Sequence, residues 1–150
     1  MNKSNFVFKW VKFNNILFKH KFRLFARLGR LSVKSLFSCD IGFFVKLKNG
    51  VLAHSGLGVI ISGNVTIGKN IKIYQNVTIE AFENDKIIIG NNVYIGCGSR
   101  VIGNIVIGDN VVIGANAVVS KNVPSNCTIV GIPGTIISIN NKRKDFYDKR

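Results

Sequence analysis

The chain has 150 residues, of which 21 are Lys or Arg and 7 are Asp or Glu, so its formal net charge is +14. This length suits one compact domain, and a hydrophobic content of 47% is too high for a disordered chain. Lys, Arg, Asn or Gly interrupts every apolar run before it reaches the ~20 residues of a membrane-spanning helix. The composition therefore predicts a single globular domain and argues against a two-domain enzyme or a membrane-spanning protein.

The positive charge is concentrated at the ends of the chain. Residues 1–39 hold nine basic and no acidic residues, residues 40–141 hold seven basic and five acidic, and residues 142–150 hold five basic and two acidic. The nearly neutral middle gives little support for a nucleic-acid groove along the body. We therefore divide the chain into a basic N-terminal segment (1–39), a central domain (40–139) and a basic C-terminal tail (140–150).

The N-terminal segment has the pattern of a short amphipathic helix. Large apolar side chains recur at spacings of three, four or seven with Lys and Arg between them, namely Trp10, Phe13, Leu17, Leu24, Leu28 and Leu31. Two interpretations remain open. The apolar stripe packs on the central domain, or it makes a peripheral contact with an anionic membrane.

The cysteines Cys39, Cys97 and Cys127 are an odd number without Cys-x-x-Cys spacing, and no secretory signal precedes them. We expect three free thiols in a reducing cytoplasm.

The central domain contains a six-residue repeat with an aliphatic residue at ten positions and one break in the register: Ile61, Ile67, Ile73, Ile79, Ile89, Ile95, Val101, Ile107, Ile113 and Val119. β-Branched residues at this period suit short strands joined by tight corners, where Gly and Asn tolerate a left-handed backbone. Three hexads form one triangular coil, and stacked coils share a core. The repeat predicts an all-β solenoid, and we expect the four extra residues within 80–86 to project as a loop at one edge.

This register, which covers about residues 59–123, resembles that of the bacterial hexapeptide-repeat transferases. The resemblance extends over roughly residues 41–137 and implies their fold, a left-handed parallel β-helix. It also implies an acetyl-CoA-dependent O-acetyltransferase, with acetyl-CoA as co-substrate, that works as a homotrimer. A triangular prism offers flat faces, so a pocket forms most easily between neighbouring chains.

Residues 51–60 contain His54 and are similar to the catalytic stretch of serine O-acetyltransferases and related saccharide O-acetyltransferases. That similarity implies that His54 is the general base, and an imidazole is suited to take the proton of a weakly acidic hydroxyl. Asp40 is the nearest counterpart of the aspartate that orients the histidine in serine acetyltransferases, although the spacing is one residue shorter. The alternative for Asp40 is a turn or cap carboxylate at the entrance of the solenoid.

Residues 114–124 are similar to the acetyl-CoA-contacting segment of galactoside-type acetyltransferases. The similarity assigns Ala115, Ser120 and Lys121 to the pantetheine arm and phosphates, and Cys97 to a backbone contact from the preceding coil. Lys142 or Arg143 takes the place of a later family arginine. The same small residues also suit plain solenoid corners. We expect no metal, because the zinc site of a solenoid carbonic anhydrase needs three histidines and only His20 and His54 exist.

The acceptor is predicted from departures from serine acetyltransferase. The acidic residue that precedes its catalytic histidine is Ala53 here, its later Arg-His pair is Asp85 and Lys86, and its long N-terminal helical domain is replaced by a short basic segment. We therefore predict acetyl transfer to a saccharide hydroxyl in capsule or O-antigen polysaccharide biosynthesis, in the cytoplasm at the inner face of the membrane. The alternatives are a serine O-acetyltransferase of cysteine biosynthesis and a non-catalytic solenoid that binds membrane or nucleic acid.

Overall fold

A computed structural model of the chain describes residues 3–19, 22–48, 50–52 and 56–139. The predicted positions His20, His54, Lys142 and Arg143 lie outside these residues, as does the C-terminal tail 140–150. Within the described part, two helices precede a rod of short strands. No helix in that part is both long enough and apolar enough to cross a bilayer.

The helices α1 (Lys3–Lys19) and α2 (Arg23–Phe37) pack against each other. Gly29 makes this close approach possible, because a Cβ at that position would overlap the side chain of Asn14. The indole N–H of Trp10 donates a hydrogen bond to the carbonyl of Gly29 at 3.3 Å. The pair is also tied to the first coil of the rod, where Asn15 Nδ2 donates to the carbonyl of Val45 at 3.1 Å.

The described residues of the rod form fifteen short strands, and each of the first four coils contributes one strand to each of three faces. The strands are β1 Asp40–Ile41, β2 Lys46–Leu47, β3 Gly50–Leu52, β4 Ile60–Ser62, β5 Val65–Ile67, β6 Ile71–Ile73, β7 Thr78–Glu80, β8 Ile87–Ile89, β9 Tyr94–Ile95, β10 Arg100–Ile102, β11 Ile105–Ile107, β12 Val112–Ile113, β13 Val118–Val119, β14 Cys127–Val130 and β15 Thr135–Ile139. The first face has the strand order β1-β4-β7-β10-β13, the second β2-β5-β8-β11, and the third β3-β6-β9-β12-β14-β15. All neighbours pair in parallel except β14 and β15, which are antiparallel.

The chain therefore makes four complete three-strand coils. In a fifth coil, a single parallel bridge between Ile107 and Val123 replaces the strand of the second face. All ten repeat positions of the sequence are buried inside the rod, as are the second apolar positions such as Val65, Ile71 and Val111. The prediction of a hexapeptide-repeat solenoid with a continuous aliphatic core is thus confirmed.

The four-residue insertion projects at one corner, as predicted, between β7 and β8. A turn closes it, in which the amide of Asp85 donates to the carbonyl of Phe82 at 3.0 Å. The ladder then resumes in register, since Ile67 pairs with Ile89 and Glu80 with Ile102. Residues added at a corner leave the stacking of the strands unchanged.

The N-terminal segment differs from one of its two interpretations, the packing of the large apolar stripe on the central domain. It forms two helices instead of one continuous stripe, and most of its large apolar residues are exposed. Phe13, Leu24, Leu28 and Leu31 are exposed, whereas Leu17 is half-buried and Trp10 contacts Gly29 of α2. The buried positions are instead the small or β-branched residues Val11, Ala26 and Val33. The prediction that the large apolar stripe packs on the central domain was therefore wrong. The helices approach each other closely, and such a contact needs small residues instead of large ones.

A column of asparagines lines the corner between the second and third faces. Asn70 donates through Nδ2 to Oδ1 of Asn92 at 3.1 Å, Asn92 donates to Asn110 at 3.0 Å, and Asn110 donates to Asn126 at 2.9 Å. Each of the four has a positive φ of 54° to 63°. Asparagine combines tolerance of this left-handed backbone with an amide that both donates and accepts.

This column predicts that Asn92→Ala lowers the free energy of unfolding. The substitution removes one hydrogen bond to each neighbouring coil and places a Cβ-bearing residue without a polar group at φ 55°. We expect a loss of about 1–3 kcal/mol, measured as a lower thermal midpoint. Asn92→Gly is the matched control, since it loses the same hydrogen bonds without the backbone strain and should cost about 1 kcal/mol less. Equal midpoints for the two variants would contradict the role of the left-handed backbone.

Candidate functional site

The corner between the third and first faces holds part of the predicted site. Its backbone groups stack from coil to coil: the amide of Asn76 donates to the carbonyl of Leu57 at 2.9 Å, that of Gly98 to Gln75 at 3.0 Å, and that of Asn116 to Cys97 at 2.8 Å. We call the residues 56–58, 74–76, 96–98 and 114–116 the first corner column. Cys97 and Ala115 lie here on adjacent coils, so the structure brings these two predicted cofactor residues together.

His54 lies outside the described residues. Along the chain it falls between the end of β3 and Gly56, where the described chain resumes. In the sequence, His54 stands two positions before Gly56, the first residue of the first corner column.

Ser120 and Lys121 lie at a different corner, between the first and second faces. Both side chains are exposed just after β13, and the neighbouring Asn122 accepts a hydrogen bond through Oδ1 from the amide of Val106 at 2.8 Å. The loop 80–86 lies at the same corner, because the amide of Gly103 donates to the carbonyl of Glu80 at 3.1 Å. We call residues 62–64, 80–86, 102–104 and 120–122 the second corner column. The predicted cofactor residues are thus divided between two corners of one prism.

Among the described residues, both ion pairs involve the carboxylate of Asp40. Its Oδ1 lies 2.6 Å from a terminal nitrogen of Arg30 and 2.7 Å from Nε, and its Oδ2 lies 3.2 Å from Nζ of Lys34. Partial burial alone would raise the pKa of the Asp40 carboxyl, but the hydrogen bonds and charges of Arg30 and Lys34 outweigh that effect and lower the pKa. Both oxygens of Asp40 therefore tie α2 to the first coil.

The thiols have different environments. Burial, with a smaller contribution from the charge of Asp40, raises the pKa of the Cys39 thiol to about 12, so it is protonated and unreactive at neutral pH. Cys127 is buried as well, whereas Cys97 is half-buried at the first corner column. All three are free, as predicted.

Gln75 is a feature of the first corner column that sequence reasoning did not single out. Its Oε1 is buried and has no hydrogen-bond partner within the described part of the chain. A buried acceptor without a donor is costly, so such an atom commonly marks a place for a bound group. In the sequence, Gln75 stands in an ordinary corner of the repeat, and only its burial distinguishes it from other corner residues.

Part of the rod matches a known family model. Residues 86–121 match the family model described as bacterial transferase hexapeptide (six repeats). The five stacked coils extend the same six-residue repeat on both sides of the matched residues, so the fold is that of a hexapeptide-repeat solenoid.

Relatives of this chain include serine acetyltransferases. The chain is 39% identical over 130 residues to that of Synechococcus elongatus, covering 84% of this chain and 52% of the relative. It is 38% identical over 131 residues to that of Staphylococcus epidermidis, covering 85% of this chain and 62% of the relative. The chain thus spans between half and two thirds of the length of these relatives.

Solved structures agree in fold. Serine acetyltransferase from Neisseria gonorrhoeae superimposes with a TM-score of 0.85 and 28% identity, over 93% of this chain and 56% of that one. The Brucella abortus enzyme in complex with coenzyme A gives a TM-score of 0.84 and 28% identity, over 91% of this chain and 56% of that one. This agreement confirms the left-handed β-helix.

The predicted saccharide acceptor was wrong. The relatives of known name act, by that name, on serine, which is the alternative that the sequence left open. The prediction rested on departures at Ala53, Asp85 and Lys86 and on a short N-terminal segment. The shared identity extends over most of the chain and outweighs three positions, and a match to about half of a relative makes length a poor guide to the acceptor.

The ion pairs of Asp40 predict a pH-dependent contribution to stability. Because the folded-state pKa of Asp40 is depressed, its contribution is fully present above the unfolded pKa of about 3.9 and is lost as pH falls through the folded value. We expect Asp40→Asn to lower the free energy of unfolding by about 1 kcal/mol at neutral pH, a figure limited by solvent screening, and to have a progressively smaller effect as pH falls below about 3.9. Thermal midpoints across this pH range provide the measurement.

Glu83→Gln is the control for Asp40→Asn, since it removes a negative charge from the exposed loop, away from Arg30 and Lys34. Its midpoint should follow that of the unmodified protein at every pH. A destabilisation by Asp40→Asn that persists unchanged into strong acid would contradict the ion-pair account.

Proposed function

We propose that this chain is an acetyl-CoA-dependent serine O-acetyltransferase. The observation that carries the proposal is the 38–39% identity to serine acetyltransferases over about 130 residues, which includes the repeat and both corner columns. Related solved serine acetyltransferases are described in complex with coenzyme A and in complex with serine. The acyltransferase reaction moves the acetyl group from the thioester sulfur to the serine hydroxyl.

In this proposal His54 acts as the general base. Neutral imidazole takes the hydroxyl proton of serine as the oxygen attacks the thioester carbonyl, since the hydroxyl is too weakly acidic to attack unaided at neutral pH. The tetrahedral intermediate collapses with cleavage of the C–S bond, and the imidazolium returns the proton to the departing sulfur. O-acetylserine and coenzyme A are the products, and no acyl-enzyme is formed. Cys39, whose thiol is protonated, takes no part.

We assign cofactor contacts to both corner columns. Cys97 and Ala115 offer narrow backbone surfaces to the pantetheine arm, and the cation of Lys121, beside the Ser120 hydroxyl, suits a phosphate. Ala115 and Lys121 are separated along the chain by β13, a path of at most about 20 Å. One cofactor can contact both columns if the first corner of one chain faces the second corner of a neighbour. This arrangement supports a homotrimer with shared sites.

Gln75 is proposed as a substrate-positioning acceptor. Its buried Oε1 lies one level below Cys97 in the first corner column and requires an N–H donor. Both the amides of the pantetheine arm and the ammonium of serine supply such donors.

The role of Asp40 as an orienter of His54 remains a prediction. Both of its oxygens already have cationic partners, so an orienting role requires that one of them be shared. A shared carboxylate would make kcat, and not only stability, depend on Asp40.

The direct test of the proposed function is coenzyme A release from acetyl-CoA in the presence of serine. We expect turnover in the unmodified protein and a loss of about 10²–10⁴-fold in kcat for His54→Ala, the usual contribution of a general base. His20→Ala is the matched control, since it removes the other histidine of the chain and should leave kcat unchanged.

Simple sugars are the control acceptors and should give no coenzyme A release above hydrolysis. Full activity of His54→Ala, or release with a sugar but not with serine, would overturn the proposal.

A further inference from the structure

We propose that the outer surface of α2 docks on an anionic phospholipid bilayer. The proposal is independent of the acetyl transfer. It concerns one stripe of leucines on α2 and the cations beside it, which we call the α2 docking surface and define as Leu24, Leu28, Leu31, Arg27, Arg30 and Lys34.

The leucines lie on the solvent side of the helix. Leu24, Leu28 and Leu31, at spacings of four and three, share one helical face, and their exposed fractions are 68%, 53% and 57%. The opposite face is occupied by contacts within the protein, since Ala26 and Val33 are buried. Three large apolar side chains on one exposed stripe form the kind of patch that marks an interaction surface.

The cations form a second stripe next to the leucines. Arg27, Arg30 and Lys34, at spacings of three and four, line an open cavity of about 500 Å³ together with Leu31, Asp40, Phe18 and Phe43. Three positive charges face one carboxylate there, so the cavity has a net positive charge. Phe18 and Phe43 stack at 4.4 Å between ring centroids, and the Arg30 guanidinium lies 5.4 Å from the centre of the Phe43 ring.

The combination matches the chemistry of an anionic membrane surface. Leucine side chains enter the boundary between headgroups and acyl chains, while Arg and Lys remain at the level of the phosphates. The cavity that Leu31 shares with the three cations can receive a headgroup phosphate at the edge of the stripe.

Charge argues against a second copy of this chain as the occupant. Residues 1–39 contain nine basic and no acidic residues, so pairing two such surfaces would place cations against cations. An anionic bilayer gains from the same charges. Nucleic acid would use the cations but leave the exposed leucines without a role.

The experiment is co-sedimentation of the full chain with vesicles. We expect at least tenfold stronger binding to vesicles of about three parts phosphatidylcholine and one part phosphatidylglycerol than to pure phosphatidylcholine, and weaker binding when NaCl rises from about 0.1 M to about 0.5 M. Leu24→Gln/Leu28→Gln should reduce binding to the anionic vesicles at least tenfold. Both positions are exposed, so the fold is retained, which the thermal midpoint checks.

The matched control is Ile137→Gln/Ile139→Gln. These isoleucines of β15 are 51% and 71% exposed and lie in the last coil, away from the helices that pack on the first coil. The control should bind vesicles as the unmodified protein does.

Three results would overturn the proposal. The first is equal binding to neutral and anionic vesicles, and the second is equal loss in the leucine and isoleucine variants. The third is an absence of vesicle binding. In that case, light scattering would show whether the leucines mediate self-association of the chain. Equal binding of a single-stranded oligonucleotide by the unmodified protein and the leucine variant would indicate a nucleic-acid surface instead.

Discussion

Everything in this protein depends on coils that stack in strict register. Each strand pairs in parallel with the equivalent strand of the next coil, and the Ile and Val of each hexad lie above one another in a core closed to water. The coils themselves differ in length. Successive asparagines of the column are 22, 18 and 16 residues apart, yet the hydrogen bonds between them span 2.9 to 3.1 Å. The corners absorb the differences, and the stacked strands keep their positions.

This constraint determines where chemistry can be placed. Strand residues are committed to the core or to a flat face, so variable residues accumulate at the corners. The four extra residues enter the second corner column, while the first corner column keeps its unbroken ladder of backbone hydrogen bonds from Leu57 to Asn116. Insertions at the second corner column therefore leave the geometry of a site at the first corner column unchanged. The ion pairs of Asp40 anchor the helices at the end of the rod without disturbing either corner.

The features that depend on the six-residue repeat could be predicted from the sequence. Ten Ile or Val positions at a period of six predicted a core that the structure places there residue by residue, and the insertion was located from a single change of spacing. The helical segment was harder, because an apolar stripe that includes Leu24 and Leu28 is compatible with packing on the central domain and with contact to a membrane. Its contacts instead use Ala26, Val33 and Gly29, whose small size carries little signal in a sequence.

The site was predictable only in part, since the backbone stacking that unites Cys97 with Ala115 and separates both from Lys121 depends on the coil geometry. The acceptor could not be derived from departures at Ala53, Asp85 and Lys86, because substitutions at three positions do not determine the shape of the whole acceptor pocket.

The central proposal is that one prism carries two halves of different sites and that a neighbouring chain completes each of them. Co-expression of His54→Ala with Lys121→Ala tests it most directly, because each variant leaves one half intact. In a randomly mixed trimer, about a quarter of the interfaces join an intact first corner to an intact second corner. The account predicts that coenzyme A release with serine recovers to about a quarter of the unmodified value, although each variant alone is nearly inactive. Activity of the mixture no greater than the average of the two separate variants would contradict it.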